Sequence, residues 1–290
     1  MRVLVTGRSG QLATSLSDVA AQQGALQLLV VGRPELDLEQ PHTVSKQILA
    51  LRPDAVINAA AYTAVDKAEA EPKRAFAANR DGAAAAAGAA YQLGVPFVHV
   101  STDYVFDGRK QQPYVEDDET NPLGVYGKSK LEGERAVRDS HPAALILRTS
   151  WVYSPFGGNF LKTMLRIGRE RPQLKVVSDQ IGNPTSAVDL AAAILAVLPA
   201  LGSEAGGLYH LTGDGSTSWH GFASFIFSES RKLGGPSPSV DPIASSEYPT
   251  AATRPPNSRL SCDAFTQRFG VRLRPWQEAT AETVARCLAG

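Results

Sequence analysis

The amino-acid sequence predicts an α/β protein built on a doubly wound parallel sheet, with a smaller, interleaved C-terminal lobe. Three observations carry that prediction. A β-branched run, Arg2-Val3-Leu4-Val5-Thr6, ends directly in a glycine turn that opens a helix. Short apolar runs then alternate with helical segments as far as Arg148, the signature of βαβ units and a parallel sheet. Beyond Arg148 the alternation loosens under repeated Gly and Pro, as in Pro155-Phe156-Gly157-Gly158, Gly182-Asn183-Pro184, Gly213-Asp214-Gly215 and Gly234-Gly235-Pro236-Ser237-Pro238.

Taken in order, Gln11 to Gln23 reads as a helix, Leu28 to Val31 as a second buried strand and Val44 to Leu51 as a helix. Asp54 to Asn58 is a third strand, and the alanine-rich span Ala75 to Leu93 is a helix with small packing residues. Pro96 to Val100 is a fourth strand, a helix starts at about Tyr126 soon after Pro122, and Ala144 to Arg148 is a strand. Right-handed crossovers between such units make the doubly wound sheet the natural solution. In the second part, Phe160 to Arg169 and Trp219 to Leu233 are short helices with strands between them, and the apolar stretch Asp189 to Leu198 is expected to pack back on the sheet. The expected division is therefore residues 1–150 plus about 174–200 in one domain, and about 151–173 and 201–290 in the other.

The chain has 290 residues, with 29 basic and 29 acidic side chains and a formal net charge of zero. That balance argues against a dedicated nucleic-acid surface, which needs a basic excess. No run of 18 apolar residues occurs and the N-terminus is a strand pattern, so neither a membrane span nor a signal peptide is expected. Cys262 and Cys287 are too few for a disulfide framework, and no cysteine–histidine cluster suggests a metal. A reducing cytoplasm is the expected location.

Gly7-x-x-Gly10 follows a strand and opens a helix, where glycines let the backbone approach a pyrophosphate at the positive helix end. Gly7, Ser9, Gly10, Gln11 and Leu12 are accordingly assigned to a dinucleotide. Arg8 stands where longer fingerprints carry a second glycine. The second strand ends in Gly32-Arg33 with no acid at its tip, which favours a cofactor bearing a 2′-phosphate, NADPH over NADH, with NADH still possible. Asp37 and Leu38 follow the next turn toward the adenine. Ala59, Ala60 and Ala61 close the third strand at the carboxyl edge and leave room for the cofactor.

Tyr126 and Lys130 lie four apart, on one face of a helix. A free phenol titrates near ~10, and a nearby cation is expected to bring it closer to working pH as a proton relay at a carbonyl carbon. The fourth strand delivers Ser101-Thr102-Asp103-Tyr104 to the same edge, where a hydroxyl can polarise a carbonyl oxygen. Arg254 offers a planar fork suited to a diphosphate. Asp66, Lys67 and Glu69 read as solvated helix charges.

These residues, with Asn58-Ala59-Ala60-Ala61-Tyr62-Thr63-Ala64-Val65-Asp66-Lys67-Ala68-Glu69, Val105-Phe106-Asp107-Gly108, Ser129-Lys130-Leu131-Glu132-Gly133-Glu134, Arg148-Thr149-Ser150-Trp151-Val152-Tyr153, Asp179-Gln180-x-Gly182-x-Pro184-Thr185 and Arg254-Pro255-x-x-Ser258-x-Leu260, span nearly the whole chain. On them the sequence resembles the extended short-chain dehydrogenase/reductases, and within that group the dTDP-4-dehydrorhamnose reductase family. The resemblance implies a Rossmann-type fold and reduction of the 4-keto group of dTDP-6-deoxy-L-lyxo-4-hexulose to dTDP-L-rhamnose. It implies Tyr126 as proton donor, Lys130 holding the nicotinamide ribose, Thr102 on the reacting oxygen, and Asp103 and Trp151 facing the sugar. Thr63 and Val65 lie on the loop lining the same pocket, Thr63 on the cofactor side and Val65 on the substrate side. Related dehydratases carry a glutamate after Thr-Asp; Tyr104 stands here, which favours simple reduction. The helix after Gly10 begins Ala13-Thr14-Ser15 without a carboxylate, and no metal is expected there. The implied partner is a small-molecule dTDP-sugar, with no nucleic acid or membrane, and the implied assembly is a monomer or homodimer. Two other readings remain open: another nucleotide-sugar 4-ketoreductase, or a non-catalytic NADP-binding regulatory subunit.

Overall fold

The computed structural model describes residues 1–23, 26–202 and 206–289. The first half runs β1 (Arg2–Thr6), α1 (Gln11–Gln23), β2 (Gln27–Val31), α2 (Pro41–Leu51), β3 (Ala55–Asn58), α3 (Val65–Ala70), α4 (Pro72–Phe76), α5 (Ala83–Leu93), β4 (Phe97–Thr102), α6 (Val125–Ser140) and β5 (Leu145–Thr149). The second half runs β6 (Val152–Tyr153), α7 (Phe160–Glu170), β7 (Gln173–Val177), β8 (Ile181–Gly182), β9 (Thr185–Ser186), α8 (Ala187–Val197), β10 (Gly207–His210), β11 (Thr217–Ser218), α9 (Trp219–Lys232), β12 (Ser239–Ile243), α10 (Asp263–Phe269) and α11 (Trp276–Ala289).

Six strands form one parallel sheet in the order β10-β5-β4-β3-β1-β2. Strands buried on both faces need continuous apolar runs, and alternate residues here enter two different cores. Val3 and Val5, Ala55 and Ile57, Val98, Leu145 and Leu147 face α1 and α8. Leu4, Val56, Phe97 and Ile146 face α2 and α5. The order reverses between β1 and β3, so the carboxyl ends of these strands flank the crevice where ligands of doubly wound sheets bind. A third core, built from Tyr153, Leu161, Met164, Phe222, Ile226, Trp276 and Val284, holds α7, α9 and α11 together. No helix among the described residues is long and apolar enough to cross a membrane.

The expected partition of the chain needs correction in two places. Residues 173–177 pair with 239–243 in a separate two-stranded ladder, not with the central sheet. Residues 207–210, expected in the second lobe, add the sixth strand beside β5. The expected single helix over Ala75 to Leu93 is also interrupted. A wide π turn occupies Ala77–Gly82, and it carries Asn79, whose side chain bonds the backbone N–H and C=O of Tyr62 (2.8 and 3.1 Å) and Ser129 Oγ (2.9 Å). Such bulges accommodate a side chain that reaches outside the helix.

One buried ion pair ties strands β4 and β5 to α6. Arg148 on β5 forms a fork with Glu134 on α6 (Nε 2.9 Å, Nη2 2.8 Å), and Ser101 on β4 donates to the same carboxylate at 2.5 Å. Both side chains are essentially inaccessible, 3% and 1% exposed. Removing one partner leaves a bare buried charge, so Glu134→Ala is expected to lose about 3–5 kcal/mol in urea unfolding. Glu132→Ala, which removes an exposed pair with Arg135 on the same helix, should cost about 0.5 kcal/mol or less. Equal losses in the two variants would refute this ranking.

Candidate active site

A cavity of about 910 Å³ opens at the carboxyl edge of the sheet. One wall is the turn after β1. Gly7 adopts φ +98°, a region that side chains rarely tolerate, and a Cβ there would come within 3.3 Å of Ala60 Cβ. Ser9, Gly10, Gln11 and Leu12 line the same wall where α1 begins, so its first N–H groups face the cavity, as a pyrophosphate requires. The Gln11 side chain is already committed elsewhere: it donates to Val152 O (3.3 Å) and accepts from Ser154 Oγ and Asn159 Nδ2 (3.0 Å each), leaving its backbone for a ligand. Ala59, Ala60 and Ala61 form the floor, with Thr63 and Val65 beyond them.

The far end of this wall is charged and exposed. Arg33 lines it beside Asp37 and Leu38, although Asp37 Oδ1 is engaged by Glu39 N (3.0 Å). Glu39 and Arg74, which the sequence did not single out, complete this end. Arg74 grips Glu39 through two bonds (2.7 and 3.0 Å), and Arg33 lies 3.5 Å from the same carboxylate. Arg74 comes from α4, and no local motif links it to the end of β2; tertiary packing alone brings the two together.

The opposite end is buried and holds Thr102, Asp103, Tyr126, Lys130 and Trp151. Close approach of α6 makes this convergence possible: a Cβ on Gly127 would collide with Tyr104 O. The Tyr104 and Tyr126 rings meet edge to face at 5.8 Å. Thr102 donates to Asp103 Oδ1 (3.0 Å) and accepts from Tyr104 N (3.2 Å). The expectation that Lys130 draws Tyr126 toward working pH does not hold for this arrangement. Burial pushes the Tyr126 phenol up to about 12, against the opposing effect of the Thr102 hydroxyl, and Lys130 Nζ is bonded to Val100 O (2.6 Å). Burial also brings Lys130 itself down to about 8.

Trp151 sits in left-handed backbone (φ +46°), an uncommon state for a bulky residue, and stacks on Trp219 with centroids 3.5 Å apart and planes 6° from parallel. Trp219 also lines the cavity and was missed from sequence, because α9 reaches this wall only through the third core. Arg254 is not among the described residues that line the cavity; its fork is held by Asp66 (2.7 and 3.2 Å). Asp66 is therefore not an idle solvated charge, and neither is Glu69, whose Oε1 accepts from Val125 N (2.8 Å) at the start of α6. Of the three charges read as solvated, only Lys67 is exposed.

Asp103 is 3% exposed, and its Oδ2 has no hydrogen-bond partner among the described residues. Burial raises its carboxyl to about 7, opposed by the neighbouring Ser258 and Thr102 hydroxyls. A raised folded-state value means that its contribution to stability is fully present below pH about 4 and is lost as pH rises to about 7. Relative to Asp103→Asn, the wild type should therefore lose roughly 2–4 kcal/mol between pH 4 and 7.5, and no more above it. Urea unfolding of both proteins at pH 4, 5.5, 7.5 and 8.5 measures this; a pH-independent difference would refute it.

The family model described as "RmlD substrate binding domain" matches residues 1–289. A dTDP-4-dehydrorhamnose reductase of Sinorhizobium fredii is 49% identical over 288 residues, covering 98% of this chain and 97% of the relative. A crystal structure of a dTDP-4-dehydrorhamnose reductase from Clostridium acetobutylicum superposes with TM-score 0.91 at 38% identity, covering 98% of this chain and 99% of that one. A dTDP-4-dehydrorhamnose reductase from Bacillus anthracis, solved in complex with NADP, gives TM-score 0.91 at 34% identity and 98% coverage of both chains. The chain belongs to the dTDP-4-dehydrorhamnose reductase family.

Proposed function

We propose that the protein reduces the 4-keto group of dTDP-6-deoxy-L-lyxo-4-hexulose with NADPH, giving dTDP-L-rhamnose. The observation that carries this reading is the convergence of the Gly7–Gly10 turn with Thr102, Tyr126 and Lys130 on one cavity. NADPH, held by the Gly7–Gly10 turn and the Arg33 end of the cavity, would supply the hydride. Tyr126, kept protonated by its burial, gives its proton to the oxygen that becomes the 4-hydroxyl. Thr102 steadies that oxygen, and Lys130 orients the nicotinamide ribose near Tyr126. Asp103 and the Trp151–Trp219 stack form the wall against the sugar. Arg33 and Arg74, now paired with Glu39, would hold the 2′-phosphate.

The primary test is to mix the protein with NADPH and the keto-sugar, follow nicotinamide oxidation and identify the sugar product; absence of dTDP-L-rhamnose would overturn the reading. Tyr126→Phe should lower kcat by about 10²–10⁴-fold while NADPH affinity changes only a few-fold. Arg33→Ala should reduce kcat/KM for NADPH about tenfold and leave NADH nearly unchanged. A parallel loss with both cofactors would remove Arg33 from the phosphate site.

A further inference from the structure

A buried chain of side chains crosses the sheet edge beneath the cavity and ends on Lys130. Thr6 on β1, Asn58 on β3 and His99 on β4 lie in adjacent strands, and all three are at most 1% exposed. Thr6 Oγ1 accepts from Ala60 N (3.1 Å) and donates to Asn58 Oδ1 at 2.6 Å. In this amide orientation Asn58 Oδ1 is the acceptor, and Nδ2 donates to His99 Nδ1 at 3.0 Å. With Nδ1 accepting, the neutral imidazole carries its hydrogen on Nε2, which points at Lys130 Nζ 3.3 Å away.

The same bookkeeping shows which form of Lys130 this tautomer favours. An ammonium has three donors and no acceptor, so it would set N–H against N–H at His99. An amine accepts from His99 Nε2, donates to Val100 O and keeps one hydrogen for the cavity. We propose that His99, locked in one tautomer by Thr6 and Asn58, is a positioning residue that presents a donor to Lys130 and so sets when that side chain carries a proton.

Burial and the neighbouring Lys130 hold His99 well below the ordinary imidazole range, which keeps it neutral in the chain. The charged and titratable groups facing Lys130 are His99 from β4 and Tyr126 and Glu134 from α6, with Arg148 of β5 paired to Glu134. Glu134 favours the ammonium, and burial opposes it more strongly. Depriving Lys130 of its His99 donor therefore shifts the balance toward the charged form.

The inference rests on the proposed role of Lys130 only for its kinetic consequence, so the test reads the proton directly. NMR titration of 15Nζ-labelled lysine, assigned with Lys130→Met, would be run on the wild type, His99→Asn and Asn58→Asp. His99→Asn retains a carbonyl for Asn58 Nδ2 and removes the Nε2 donor. Asn58→Asp accepts instead of donating, moves the imidazole hydrogen to Nδ1 and turns Nε2 into an acceptor, but its charge also favours the ammonium, so the uncharged variant His99→Asn decides. In both variants Lys130 should titrate about one pH unit or more higher, a tenfold change in proton affinity. An unchanged midpoint in the folded variants, or a wild-type Lys130 that stays charged to pH 10, would overturn the proposal. If the midpoint moves but the alkaline limb of kcat/KM does not, the proposed catalytic role of Lys130 fails while His99 remains its positioning residue.

Discussion

Burial of the Arg148–Glu134 pair is the constraint on which the arrangement of the buried cavity wall depends. A guanidinium inside a parallel sheet is tolerated only with a partner of matching geometry. Glu134 lies on α6 one turn beyond Lys130, while Arg148 is in register with Ser101 on β4 and with His210 on β10. Satisfying the fork therefore fixes both the rotation of α6 and its height over the strands. Asn79 and Gly127 act in the same sense, one through hydrogen bonds to Tyr62 and Ser129, the other by removing the bulk that would hold α6 away from Tyr104. Arg148 Nη1 has no hydrogen-bond partner among the described residues, and the guanidinium lies 5.0 Å from the Phe106 ring centroid, which supplies a face for the remaining charge.

The two ends of the cavity obey different electrostatics. Around Arg33, Arg74 and Glu39 the charges are exposed or half-exposed, exchange partners at little cost and are screened by salt. Around Asp103, Tyr126 and Lys130 water is largely excluded, and each group moves toward its neutral form. A neutral phenol, a carboxyl that readily keeps its proton and an amine of lowered basicity suit a site where charge develops only during reaction. The exposed end suits a phosphate bound by charge, and the buried end suits an oxygen whose charge develops during reaction, as the proposed function requires.

The alternation of strands and helices through Arg148 was legible because buried parallel strands need continuous apolar runs, and Gly7, Gly10, Thr102, Tyr126 and Lys130 stand where local pattern and strand ends place them. What escaped the sequence has one physical origin: side chains whose surroundings come from distant segments. Arg74 and Trp219 reach the cavity from α4 and α9. The fork of Arg254 is taken by Asp66, far away in sequence. The lowered basicity of Lys130 and the raised phenol of Tyr126 depend on burial, which a four-residue spacing does not encode. The π turn at Ala77–Gly82 was hidden because alanine favours a helix throughout, and only the contacts of Asn79 make the wider turn worthwhile.

The route of the chain between sheet and lobe has a mechanical consequence. The backbone leaves the sheet after β5, returns as α8 and β10, departs through β11 and α9, and comes back once more where Phe265 of α10 joins the core over α1. A polypeptide stopped after β5 would expose that strand's hydrogen-bonding edge and strip the α8 side chains from the sheet. The two halves of the cavity wall are thus woven rather than hinged on a single linker, and any closing movement over a ligand must be shared among several crossings, each contributing a small rotation.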